Sequence, residues 1–491
     1  MDTAASDPRY RAFQARDARF DGRFFIGVRS TGVYCRPVCV VRTPKAVNCL
    51  YFPSAAAAEA GGFRPCLRCR PELAPGWAPQ EAGLRYADAA AALIGQGLLD
   101  RAGMAALAAR LGIGERHLRR VFSERFGVSP IAWAQTQRLL LAKQWLSETA
   151  LPMTEVAALA GFGSLRRFNA LMRARYGMQP SELRERAQRQ RATPEASPPL
   201  RLAYRPPLDW DWQLRWLAQR ALPAMEQVDL PARRYRRTLS VPHAGTLRQG
   251  WIEVGPGDAN ALTLRCAPDL LPAWAEVRTR VRRLLDLDAS PQDILAALGP
   301  LAQERPGLRL PGAVDGLEAG VRALLEQQVS TAAAATLLGR LVERWGASQP
   351  TPWPGLDRRF PDATTLAQVP LDALAALGLP RLRAQAVHAL ATAVAQGALD
   401  LETATDLPDG LARLQALPGV GPWTAGWIAM RAWHWPDVFL ATDGALAQRL
   451  PGLSPAGREA LAERWRPWRS YAVLHLWARQ TPWPPDRNLP T

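Results

Sequence analysis

Leu417-Pro418-Gly419-Val420-Gly421-Pro422-Trp423-Thr424-Ala425 decides how the second half of this chain is read. Two glycines and two prolines among nine residues stop one helix, turn the backbone tightly and start another. Such a helix-hairpin-helix turn leaves Gly419 and Gly421 without side chains, so that backbone N–H groups can approach a DNA phosphate. Hairpins of this kind also occur in clamps that do no chemistry. Twenty-two residues after Gly421 stands Asp443, inside VFLATDGALAQRL, and it becomes the first candidate for more than clamping.

Around the hairpin, residues 290 to 480 read as helix after helix separated by Gly and Pro stops. Before them, residues 200 to about 285 mix strand-like segments (YRRTLSV, GWIEVG, ALTLRC) with helices. Fifteen of the eighteen Trp lie after residue 200, more than core packing ordinarily calls for, so some are expected to line a site. The polar, Pro-bearing stretch RERAQRQRATPEASPP precedes this half and reads as a linker.

Upstream of the linker, LAARLGIGERHLRRVFSERFGVSP (107 to 130) and VAALAGFGSLRRFNALMRARYGMQP (156 to 180) align at an offset of 49 residues, shifting to 50 after one insertion. Each copy predicts a short helix, a tight turn at Gly112-Ile113-Gly114 or Gly161-Phe162-Gly163, and a basic amphipathic helix suited to a major groove. Arg116, His117, Arg119 and Arg120 in the first copy, and Arg166, Arg167 and Asn169 in the second, are candidates for base or phosphate contact. A helical bundle with basic faces is the alternative.

Residues 1 to about 75 hold short strand-like pieces, an Ala-rich helix and five of the six cysteines. Cys35-x3-Cys39 and Cys66-x2-Cys69, 26 residues apart, can bring four thiolates onto one ion in the tetrahedral arrangement zinc prefers. A purely structural zinc knot is the commoner use of four cysteines, and spacing alone leaves the choice open. Cys49 and Cys266 read as ordinary thiols.

Three resemblances sharpen these readings. GVRSTGVYCRPVC and GFRPCLRCRPE resemble the N-terminal methylphosphotriester-repair domain of the Ada family. That resemblance implies that Cys35 is the methyl-accepting nucleophile, that Cys39, Cys66 and Cys69 complete a Zn2+ site, and that Thr31, Arg36 and Arg42 contact phosphate. The paired copies and their Phe/Tyr-Gly-x-x-Pro close resemble the AraC-type regulator domain. From about 200 to 485, PPLDWDWQLRWLAQRA, RPGLRLPG, LLEQQVSTAAA, LPGVGPWTA and ERWRPWRSYAVLHLWA resemble the AlkA-like 3-methyladenine DNA glycosylase II family of the helix-hairpin-helix superfamily.

This last resemblance implies a catalytic role for Asp443, because departure of an alkylated purine leaves an oxocarbenium-like sugar that a carboxylate can stabilise. It further implies that Trp423, Trp427, Trp477 and Trp216 border the base pocket, Trp427 standing where a relative has Tyr. Gln328 falls at the wedge position, where Leu is known. Gly444 follows the aspartate where a larger residue can stand, implying a roomier pocket. Trp423 occupies the place of the Schiff-base Lys of superfamily members that also cut the backbone, so no lyase activity is expected. Asp437, Trp465 and Trp468 read as structural.

The expected architecture is multidomain. A small α+β zinc domain (1–78) and an all-α double helix-turn-helix (84–184) precede a linker (185–199), an α+β domain (200–286) and an all-α helix-hairpin-helix glycosylase domain (287–486). A net charge of +17 over 491 residues fits a polyanionic partner. Double-stranded DNA, both alkylated and promoter, is therefore expected, with RNA polymerase as a further partner. With no 18-residue apolar run and no apolar core in MDTAASDPRY, a cytoplasmic protein without membrane association is expected. No Pro-Cys-His-Arg acceptor motif occurs, so no O6-methylguanine transfer is expected. The rival reading is a transcriptional regulator whose glycosylase half has decayed into a DNA clamp.

Overall fold

The computed structural model describes residues 7–75, 85–95, 97–189, 200–243, 245–327, 330–403 and 406–481. The four expected classes of unit are all present, in the expected order.

In the cysteine module, β1 (Phe25–Val28) pairs antiparallel with β2 (Val33–Cys35) and β3 (Cys49–Phe52), while β4 (Arg64–Pro65) adds parallel to β2. The turn between β1 and β2 needs Gly32 at φ +63°, a region that side chains disfavour. The Ile26↔Cys35 pairing fixes Cys35 at the end of β2, and β4 delivers Cys66 beside it. Helix Ala55–Ala60 begins at Ser54, whose hydroxyl accepts from Ala57 N–H and donates to the Phe126 carbonyl (2.8 Å). One capping side chain therefore starts a helix and docks the module on its neighbour.

Both helix-turn-helix copies form as expected: helices Gly103–Arg110 and Glu115–Phe126, then Met153–Leu159 and Leu165–Tyr176. The turn glycines Gly112 and Gly161 have φ of +67° and +80°. Between the copies runs helix Pro130–Glu148, buried over most of its length. Its Lys143 and Glu148 pair with Glu72 and Arg70 of the cysteine module, all four being well desolvated, so the pairs fix orientation more than they add stability.

The second half has a five-stranded antiparallel sheet ordered β5 (Leu200–Ala203), β9 (Ala261–Cys266), β8 (Thr246–Pro256), β7 (Arg234–His243), β6 (Glu226–Asp229). Helix Trp274–Leu284 covers it, and a separate helical core follows, carrying the hairpin. The expected linker is corrected at its start, because helix Pro180–Arg189 runs through 185–189. More importantly, the linker does not mark a break in packing. Phe168, Met172 and Tyr176 of the second copy share one apolar core with Leu202, Tyr235 and Val277, and Trp145 meets Trp274 edge-on at 5.5 Å. Among the described residues no helix is long and apolar enough to cross a membrane.

Candidate active site and metal centre

The Sγ atoms of Cys35, Cys39, Cys66 and Cys69 all lie within 4.8 Å of one another, in a buried cluster. A tetrahedral zinc ion with Zn–S bonds of about 2.3 Å spaces its sulfurs about 3.8 Å apart, and Cys39 and Cys66 stand at 4.0 Å. Hydrogen bonds from Cys35, Cys39 and Cys69 favour the Cys66 thiolate, and bonds with Cys39 and Cys66 push Cys35 up. Four crowded sulfurs cannot all be anionic unless a cation joins them, so the donor set fits zinc.

Arg36 is corrected. Instead of facing phosphate, it is buried behind the cluster: Nε and Nη2 donate to the Asp21 carboxylate, Nη1 to the Cys69 carbonyl (3.0 Å), and its backbone N–H to Cys69 Sγ (3.3 Å). Two charge-assisted bonds to the buried Asp21 carboxylate hold the guanidinium inside the module. Thr31 and Arg42 are exposed. Asp21 had no signal in the sequence, being one of two aspartates in DARFDGRFFI with nothing to set it apart from Asp17. Cys49 is buried, Cys266 half-buried, and both are free thiols.

In the helix-turn-helix pair, Arg116, His117, Arg119, Arg120, Arg166 and Arg167 are exposed and Asn169 is half-buried. Their helices carry Leu118, Phe122 and Phe168 on the opposite, buried side, so the basic stripes face solvent, where Arg119 pairs with Glu115 (3.0 Å) and Arg120 with Glu124 (2.9 Å).

In the hairpin, Gly419 has φ +75°, and a Cβ there would meet Ala386 Cβ at 3.1 Å. Gly421 is exposed and precedes helix Pro422–Arg431, with Pro422 in the first turn where its missing N–H is harmless. Gln327, which sequence reasoning missed, bonds Thr424 Oγ1 and reaches the Gly419 carbonyl (3.5 Å), pinning the turn. Its neighbour Gln328 lies outside the described residues.

Asp443 caps helix Gly444–Arg449. Oδ1 accepts from Leu446 N–H (2.9 Å) and Trp477 Nε1 (3.0 Å), and Oδ2 accepts from Trp423 Nε1 (2.9 Å). Trp423 and Trp477 are half-buried, so each offers a ring face while its N–H holds the carboxylate. Trp216 and Trp427 are buried and belong instead to an adjoining stack: the Arg431 guanidinium lies 4.1 Å from the Trp216 ring centre and 5.0 Å from that of Trp427. Gly444 is exposed, and a Cβ there would meet nothing within 4 Å. Asp437 pairs with Arg466 and Arg469, and Trp465 and Trp468 are core.

A hairpin joined to an indole-held carboxylate, beside a four-thiol centre and two basic helices, defines a DNA-directed protein with two separate reactive centres. Comparison with known proteins agrees. Models of the metal binding domain of Ada (8–72), a helix-turn-helix domain (107–186), the AlkA N-terminal domain (199–315) and the HhH-GPD superfamily of base excision DNA repair proteins (321–469) match in succession. The chain is 41% identical over 501 residues to the probable bifunctional transcriptional activator/DNA repair enzyme AlkA of Mycobacterium tuberculosis, covering 98% of each. It is also 42% identical to DNA-3-methyladenine glycosylase 2 of Escherichia coli, across 58% of this chain and 98% of that one. To the bifunctional activator/repair enzyme Ada of E. coli it is 35% identical, over 32% of this chain and 42% of Ada. The chain belongs to the AlkA-type family of bifunctional transcriptional activator/DNA repair enzymes.

Proposed function

We propose that this protein excises alkylated bases of the 3-methyladenine and 7-methylguanine class from double-stranded DNA and accepts methyl groups from DNA phosphotriesters at Cys35. The observation that carries the first activity is the cradle of Asp443, in which three N–H donors converge on one carboxylate beside two half-buried indole faces. A flipped, electron-poor base stacks well on such rings. The C1′–N bond breaks with its electron pair leaving on the base, which departs neutral when it was a cationic N-alkylpurine. Asp443 stabilises the positive sugar and orients the water whose oxygen bonds to C1′; the water's proton passes to solvent. With Trp423 where a Schiff-base amine would have to stand, the abasic product stays unbroken.

At the other centre Cys35, Cys39, Cys66 and Cys69 would hold zinc. When bound, zinc keeps the thiols deprotonated at neutral pH. Cys35 Sγ attacks a methylphosphotriester carbon, the S–CH3 bond forms as the O–CH3 bond breaks, and the phosphodiester anion leaves. Losing one thiolate charge weakens repulsion from the DNA backbone. The paired basic helices then favour promoter DNA, with RNA polymerase as the partner of an activator in a cytoplasmic setting.

Excision is tested on N-methylated duplex DNA. Wild-type protein is expected to release 3-methyladenine and leave alkali-labile but uncut abasic sites, and Asp443→Asn to lose at least a hundredfold in rate. Release unaffected by Asp443→Asn would remove the aspartate from the chemistry, and no release by either form would favour the clamp reading.

A further inference from the structure

Arg205 takes no part in either reaction, yet it is among the most deeply buried charges in the molecule, 1% exposed. Its Nε donates to the Asp21 carbonyl (2.8 Å) and its Nη1 to the carbonyls of Asp288 (2.7 Å) and Ala289 (3.3 Å). Asp21 lies in the cysteine module, and its carboxylate holds Arg36 behind Cys69. The same residue therefore buttresses the metal centre with its side chain and receives the glycosylase half with its backbone. Arg23, two residues on, reaches Asp293 (3.0 Å), and a Cβ at Gly22 would stand 2.2 Å from the Pro75 carbonyl oxygen, so the loop between them is tightly fitted.

The polar contacts continue beyond Arg205. Its carbonyl accepts from Nη2 of Arg309, also 1% exposed, and the backbone N–H of the next residue, Leu310, donates to Asp286 Oδ2 (3.0 Å). Asp286 accepts from the Tyr471 hydroxyl (2.8 Å). Tyr471 shares helix Arg469–Ala478 with Trp477, which holds Asp443. Each link between Cys69 and Asp443 is thus a polar contact or a short stretch of chain, and all the polar contacts are buried except the half-buried Trp477–Asp443 bond. Burial gives the links their force, because a desolvated donor separated from its carbonyls leaves all of them unsatisfied, whereas an exposed pair exchanges freely with water.

We propose that Arg205 ties the cysteine module and the glycosylase half into one cooperative unit, through which disorder at the metal centre reaches the Trp477–Asp443 pair. Arg205 is a positioning residue: it touches no substrate, and its removal loosens the direct polar tie between the cysteine module and the glycosylase half, which the shared apolar core still joins through the helix-turn-helix pair, without altering either set of reactive groups. One arm of the test rests on the zinc reading above and the other does not.

The full chain and Arg205→Met, which keeps the stem and removes the donors, are compared by calorimetry. The wild type is expected to unfold in one sharp transition and Arg205→Met in a broadened or split one. Arg23→Gln, which removes the half-exposed pair with Asp293 and the longer bond to Ser290, supplies the comparison if Arg205→Met does not fold, and is expected to split or broaden the transition. Two transitions in the wild type, or one unbroadened transition in the variant, overturn the proposal. In the second arm, bound zinc is counted and then chelated while amide hydrogen exchange is followed. Exchange is expected to rise about tenfold beyond the module, at 200–205, 286–312 and 469–478. A rise confined to residues 21–75 overturns the proposal, whereas a protein isolated without metal contradicts the zinc reading and leaves calorimetry to decide the tie.

Discussion

Asp443 receives three N–H bonds, two of them from rings that also form its surroundings, so each indole carries two duties. Replacing Trp423 or Trp477 by Phe keeps a ring and deletes one donor. A charge-assisted bond of this kind contributes about 1.5 kcal/mol, so each variant is expected to excise 3-methyladenine roughly tenfold more slowly. Single-turnover release measures this, and unchanged rates would mean that the bonds do not orient the carboxylate. The sequence offered the aspartate and both indoles only as neighbours in a motif. That the indoles grip the aspartate depends on a fold that brings residues 34 positions apart into contact. Asp21 and Gln327 were illegible for the same reason, since their partners Arg36 and Thr424 lie on other elements.

A second residue-scale consequence concerns Glu59. Burial pushes its carboxyl from 4.5 up to about 7, against the pull of the Thr136 and Tyr34 hydroxyls. The folded protein therefore holds a proton that the unfolded chain releases, and stability from this group is full below pH 4.5 and lost as pH rises through about 7. Glu59→Gln is expected to flatten that part of the pH profile, gaining up to ~3 kcal/mol relative to wild type above pH 7. Thermal unfolding across pH 5 to 8 tests it, and parallel profiles for the two proteins would contradict it.

At the scale of elements, periodicity and turn chemistry were enough. Both helix-turn-helix copies, the cap at Ser54 and the hairpin follow local rules that glycine, proline and apolar spacing express directly. Gly419→Ala is expected to destabilise the fold by about 1–2 kcal/mol and to weaken DNA binding, because a left-handed φ and a close neighbour both resist a methyl group. An unchanged denaturation midpoint would contradict this. Removing Arg166 and Arg167 together is expected to make the salt dependence of DNA affinity shallower by one to two in slope, about 0.9 for each phosphate that is no longer neutralised. A slope equal to that of the wild type would take these residues off the backbone.

At the scale of the whole molecule, the sequence misled in two respects. A polar, Pro-bearing stretch after residue 184 reads as a break, yet the second helix-turn-helix and the antiparallel sheet share a core. Composition reports what a segment lacks, whereas shared cores are made by segments distant in sequence, such as those bearing Trp145 and Trp274. Arg36 went the same way: its neighbours in sequence suggested phosphate, and a distant aspartate claimed it.

One chain is expected to run two repair reactions on separate reactive groups, one stoichiometric and one catalytic. The most direct measurement incubates the protein with methylated duplex DNA carrying both phosphotriesters and 3-methyladenine. The protein is then weighed by mass spectrometry and the released base counted. One methyl per chain, on Cys35, is expected alongside many bases released per chain, with Asp443→Asn abolishing the release and keeping the adduct. A wild-type protein that carries no adduct, or that releases no more than one base per chain, would contradict the claim.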